Sequence, residues 1–194
     1  MTGATQGWHA RLDELGIRLP PVAAPVASYV PAVRSGSMVF TSGQLPFVDG
    51  GLRRTGKVGG SVDVDAAAAD AKVCALNALA AIDDLVGLDS IARIVKVVGY
   101  VASAEGFTGQ PRVVNGASEF LGKIFGEVGK HARSAVGVAE LPMGAPVEVE
   151  LTVELRGWPP SRGRPRPSCC CATASPAWRS TSSAARRGCP SPAA

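Results

Sequence analysis

Histidine, aromatic side chains and long apolar runs are all scarce in this chain of 194 residues. The two histidines, His9 and His131, stand in an arm and in a surface loop, where solvated roles are expected. Neither is placed to activate Ser42, which also lies outside any GxSxG elbow, so a nucleophilic serine is not expected there. Aromatic residues make up 5% of the chain and do not interleave with basic ones, which argues against a nucleic-acid partner. No apolar run approaches the roughly 18 residues needed to span a bilayer, so no membrane partner is expected. The first residues, MTGATQGWHARLDELG, lack a basic segment followed by an apolar one. That excludes a secretory signal in the pattern, and a cytoplasmic location is the expectation.

Acidic residues and lysine are missing altogether from residues 156–194, which hold seven of the chain's 20 basic residues, all arginine. Residues 1–155 therefore keep thirteen basic residues against sixteen acids, a net charge of −3, and the formal +4 of the whole belongs to the tail. Cysteine divides in the same way. Cys74 stands alone in a helical pattern, and Cys169, Cys170, Cys171 and Cys189 crowd the tail. Three adjacent cysteines lack the CxxC spacing that turns two thiolates to one zinc ion, so no metal is expected. The tail has neither helical nor strand periodicity. Its Arg, Pro, Ser, Ala and Cys are what GC-rich codons yield in any frame, which reads as an out-of-frame C-terminus. A genuine disordered basic tail is the alternative.

What remains is one α+β domain, residues 17–155, behind an N-terminal extension, 1–16, with a short amphipathic helix around Trp8 to Leu15. The proline-rich run Ile17 to Ala32 suits an extended arm. Ala32 to Gln44 reads as strand, turn at Ser35-Gly36, strand, and residues 46–60 as a Gly-rich loop or irregular hairpin. A helix is predicted over Val64 to Val86, capped by Ser61, Asp63 or Asp65 and closed by Gly87. Its expected apolar stripe is Ala69, Val73, Leu76, Leu79, Ala80, Ile82 and Leu85, with Cys74 and Asn77 beside it. Ile91 to Ala102 is rich in β-branched residues and reads as a long strand. A second helix is predicted over Gln110 to Phe125.

The stretch Arg133 to Leu155 reads as two strands joined around Leu141 to Pro146. Val147, Val149, Leu151, Val153 and Leu155 alternate with Glu148, Glu150, Thr152 and Glu154, the period of a half-buried strand. A hairpin would put Arg133 and a glutamate on neighbouring positions of one sheet. The order ββ-α-β-α-ββ fits a mixed, mainly antiparallel sheet with two helices on one face. Its open face carries apolar as well as polar side chains, so burial against copies of the chain is expected.

Several segments, in order and at compatible spacing, resemble the RidA (YjgF) family of small trimeric imine/enamine deaminases. They are Tyr29 in ASYVPAV, Thr41 to Pro46, Asn115 in VVNGASEF, Ala132 to Val136, Leu141-Pro142 and Val147 to Glu150. The resemblance covers about Leu15 to Leu155 and looks like a sub-branch with a proline-rich N-terminal arm. It implies a six-stranded sheet with two helices, like that of chorismate mutase, a homotrimer, and active sites in the clefts between subunits. It implies hydrolysis of 2-iminopropanoate and 2-iminobutanoate, or their enamines, to 2-keto acids and ammonia, with no cofactor. A binding or chaperone-like homologue without turnover is the alternative function.

On that resemblance Arg133 grips the substrate carboxylate with its planar fork, which Lys cannot reproduce. Glu148 orients and deprotonates the attacking water. Ser42 and Gly43 present backbone groups, Tyr29 caps the pocket, and Asn115 holds its wall. Ala135, where many members carry Cys, contributes backbone. Gly137 and Gly144 replace larger polar residues, which would loosen or reshape the cleft, and the arm lacks the usual glutamine after the Tyr-Val pair.

Overall fold

The computed structural model describes residues 7–22 and 28–157, so the tail from residue 158 onward lies outside the described residues. The helix α1 spans Trp8–Glu14, and the strands β1 (Ala32–Ser35) and β2 (Met38–Thr41) follow the arm. A miniature hairpin, β3 (Phe47–Val48) and β4 (Gly51–Leu52), precedes α2 (Val64–Val86), β5 (Ile91–Ala102), α3 (Gln110–Phe125), β6 (Ala132–Val138) and β7 (Val147–Leu155). Both long helices and the long strand occupy the spans their periodicity predicts. Asp63 is the cap of α2, its carboxylate accepting from the Ala66 amide at 2.9 Å.

The main sheet has five strands in the order β1-β2-β7-β5-β6, while β3 and β4 form a sheet of their own. Five is the number counted from the periodicity; the sixth strand implied by the resemblance is not in this sheet. All pairings are antiparallel except β5 with β6. That exception corrects the hairpin expected between β6 and β7. The chain leaves β5, returns through α3 to lay β6 parallel on one side of it, and only then places β7 on the other. A hairpin would leave twelve β-branched-rich residues of β5 with a bare edge; here it is paired on both sides. The link bends at Met143 (φ 57°) and Gly144 (φ 71°), and the Gly56 amide holds it by donating to the Gly144 carbonyl at 2.9 Å.

Valines and leucines of β7 are buried against the helices at positions 147 to 155, and β5 adds Ile91, Ile94, Val97 and Val101. The buried face of α2 is broader than the expected stripe. Leu79, Ala80 and Ile82 are buried as expected, and Ala67, Asp70, Ala71, Cys74 and Ala78 are buried too, whereas Ala69 and Leu85 are exposed. The helix is squeezed between the sheet and α3, and only small side chains fit where α3 crosses. A Cβ on Gly116 would coincide with the Ala68 carbonyl. Asp70 is enclosed there, its carboxylate facing Arg54 Nε at 3.0 Å and Arg53 Nη1 at 3.4 Å. Burial raises its pKa, and the two guanidiniums pull it back. The Cys74 thiol is packed inside, as expected, and burial pushes its pKa well up.

In the N-terminal region, α1 docks through Trp8, whose indole N–H donates to the Ile91 carbonyl at 2.9 Å and whose ring meets Phe125 edge-on at 4.8 Å. On the other side of the sheet Val33 and Phe40 remain 50% and 42% exposed, and Val136 44%. Among the described residues no helix is long and apolar enough to cross a membrane.

Candidate functional site

Register decides which predicted residues meet. Arg133 pairs with Val97, and Ala135 with Gly99, residues whose neighbours on β7 are the buried Leu151 and Val149. Arg133 and Ala135 therefore lie on the face where α3 sits. Glu148 pairs with Tyr100, one residue out of phase, and so faces the open side. Within one chain Arg133 and Glu148 point to opposite faces with β5 between them, not side by side as a hairpin would set them.

The seven residues fall into two groups. At the outer edge, Arg133 Nη1 donates to Asn115 Oδ1 at 2.8 Å and to Ser118 Oγ at 3.1 Å. Asn115 thus holds the guanidinium from the second turn of α3. With both Nη1 hydrogens engaged, the Nε and Nη2 edge has no hydrogen-bond partner among the described residues. That edge is a fork matched to a carboxylate. Ala135 follows on the same edge strand.

The second group surrounds Glu148. Between the pairs Phe40–Thr152 and Gln44–Val149, the chain at Ser42-Gly43 carries an extra residue, and Leu151 donates its amide to Thr41 Oγ1 at 3.0 Å. This bulge brings Gly43 onto the Glu148 carboxylate so closely that a Cβ there would coincide with Oε1. Ser42 Oγ donates to the Val30 carbonyl at 2.6 Å and fastens the arm. Tyr29, exposed, shares with Gly43, Asn77 and Met143 a groove of about 620 Å³. Burial, and then the Glu150 carboxylate two residues on, raise the pKa of Glu148. Tyr100 stands opposite on β5, and burial, then the Glu150 and Glu148 carboxylates, raise its pKa. Among the described residues no group of three His, Cys, Asp or Glu could hold a metal ion.

Residues 9–155 match the family described as "YjgF/chorismate_mutase-like, putative endoribonuclease". The chain belongs to the YjgF family. It is 48% identical over 148 residues to Protein TCP17 of Trypanosoma cruzi, covering 75% of this chain and 92% of that one. The crystal structure of protein Atu1372 from Agrobacterium tumefaciens is 43% identical, with a TM-score of 0.71 over 76% of this chain and 92% of that one. E. coli TdcF, solved with bound serine, is 27% identical, with a TM-score of 0.51 over 72% of this chain and 94% of that one.

Two residues of this YjgF chain escaped the sequence reading. Ser118 reads as one polar residue on a helix surface, yet Asn115, Ser118 and Gly122 recur at three and four residues and so share the face turned to β6. His131, expected to be solvated, is half-buried and hydrogen-bonded to Ser118 at 3.1 Å and to the Gly129 carbonyl at 2.6 Å. Gly137 leaves room for Gln110, whose Nε2 would lie 2.7 Å from a Cβ there.

Proposed function

We propose that this protein hydrolyses small 2-imino acids to 2-keto acids and ammonia, in sites completed between copies of the chain in a homotrimer. The observation that carries the reading is the Arg133 guanidinium, pinned through Nη1 with its Nε–Nη2 edge unpartnered among the described residues. Such a fork binds a carboxylate in two parallel N–H···O bonds. Because Glu148 faces the other side of its own sheet, the carboxylate that meets this Arg133 belongs to a second copy. Pairing the edge of one sheet with the open face of another supplies both groups at one cleft.

The chemistry follows from the two groups. The substrate carboxylate settles on Arg133, with its C=N carbon between the subunits. Glu148 takes a proton from a water as the water oxygen bonds to the imine carbon, the C=N π pair moves to nitrogen, and Glu148 passes that proton to the nitrogen. Its raised proton affinity makes Glu148 a stronger base than an ordinary surface carboxylate. Glu148 then takes the hydroxyl proton of the carbinolamine as the oxygen electrons form the C=O bond, the C–N bond breaks with that proton delivered to the nitrogen, and ammonia and the keto acid leave. Gly43 keeps the space above the carboxylate clear, Tyr29 closes the pocket, and backbone at Ser42 and Ala135 orients the substrate.

A second reading has its own support: TdcF holds serine, a stable small amino acid with the same carboxylate. The same cleft would then capture a metabolite without turnover. The acidic balance of residues 1–155 favours either reading over one that places an RNA polyanion on the domain. A coupled threonine-dehydratase assay separates the two. Accelerated imine breakdown that Arg133→Ala abolishes supports hydrolysis; saturable 2-ketobutyrate binding with no acceleration supports capture.

A further inference from the structure

The guanidinium of Arg133 is held by more than Asn115. Its Nη1 donates to Ser118 Oγ at 3.1 Å, Ser118 Oγ lies 3.1 Å from His131 Nε2, and His131 Nδ1 lies 2.6 Å from the Gly129 carbonyl oxygen. A carbonyl only accepts, so Nδ1 carries the hydrogen. In the neutral ring Nε2 is then an acceptor, the Ser118 hydroxyl hydrogen points to it, and the oxygen's lone pairs are turned to Arg133. Every donor in this chain runs one way, from the guanidinium to the Gly129 carbonyl. That last anchor is rigid. Gly129 is buried, with the Leu121 carbonyl 2.9 Å from where a Cβ would stand.

We propose that Ser118 and His131 are positioning residues for Arg133: they turn the hydroxyl so that it accepts from Nη1, and so aim the Nε–Nη2 edge at the substrate carboxylate. This rests on the reading of Arg133 as the carboxylate-binding group. The relay borders a recess of about 330 Å³ lined by Ser118, Gly122, Gly129, Lys130, His131 and Arg133, so water replaces any link that is removed. A water there satisfies the groups and leaves the guanidinium free to swing. The expected defect is therefore one of substrate binding, and the fold is retained.

Two measurements on the full chain test this. The chain has only two histidines, so the side-chain nitrogens of His131 can be assigned by NMR. At about pH 8.5, where imidazole is neutral, His131 is expected as the Nδ1–H tautomer, and in Ser118→Ala as well, because the Gly129 carbonyl fixes it. An Nε2–H ring in the unaltered protein overturns the relay. In imine hydrolysis, Ser118→Ala and His131→Ala should raise KM on the order of tenfold with little change in kcat, the loss of about one charge-assisted contact. Ser118→Thr, which keeps the hydroxyl, should restore it. An unchanged KM, or no rescue by Thr, also overturns the relay. If the unaltered protein neither hydrolyses imines nor binds 2-ketobutyrate, the site reading fails, and with it the aiming role; the tautomer still reports which way the Ser118 hydroxyl is turned.

Discussion

Glu148 carries opposed demands at the scale of a single side chain. It is half-buried, beside another carboxylate, with a backbone bulge pressed against it, so ionisation costs more in the folded chain than in the unfolded one. The raised folded pKa fixes the sign of the linkage. Between the unfolded value, about 4.3, and the higher folded one, the native state binds more protons, and stability falls as pH rises through that window. Glu148→Gln removes the charge and keeps the shape. Thermal unfolding at pH 7 should show the variant more stable than the parent, with the difference vanishing as pH falls below the unfolded value. The same substitution should abolish imine hydrolysis. A variant less stable at pH 7 would mean that the carboxylate is held by partners rather than strained.

At the scale of elements, the crossing of α2 and α3 sets the angle from which Asn115 and Ser118 reach Arg133. Gly116 lies between them and touches the Ala68 backbone. Gly116→Ala has to push the helices apart, and chemical denaturation should show a loss of about 1–3 kcal/mol, more than the gain in helix propensity returns. A companion fall in affinity for 2-ketobutyrate is expected, because the displaced turn carries both hydrogen-bond acceptors.

The spans of α2, α3 and β5 were legible because each is long and periodic, and the inward side of β7 follows from its strict alternation. Strand order was not. Alternation assigns the faces of one strand but says nothing about which strand lies beside it. Adjacency in sequence suggested a β6–β7 hairpin, and the need of β5 for two partners overruled it. The α2 stripe was incomplete for a related reason: counting large apolar residues finds a one-sided helix, whereas α2 is covered on two sides and buries alanines. For the candidate site, the residue types and their order were readable. The division of those residues into two groups was not, since it depends on the relative phase of β6 and β7 across β5.

For the whole molecule, the open face joins Val33, Phe40, Val136 and Tyr100 to the carboxylates of β7, and the free edge of β6 lies beside Arg133. On the proposed reading a monomer would leave that apolar surface wet and each group of site residues incomplete, and closed cyclic packing would answer both. Arg156 donates its amide to the Ser90 carbonyl at 2.7 Å and its guanidinium lies over the Trp8 ring, so a shortened protein should keep Arg156 and not stop at Leu155.

The opposite facing of Arg133 and Glu148 has a genetic corollary. An Arg133→Ala subunit still offers an intact carboxylate, and a Glu148→Gln subunit an intact guanidinium. Two inactive polypeptides made in one cell should therefore rescue each other wherever the good half of one abuts the good half of its neighbour. Random mixing in a ring of three gives about a quarter of the parental turnover per cleft. Turnover no greater than the two variants purified apart would show that each subunit works alone.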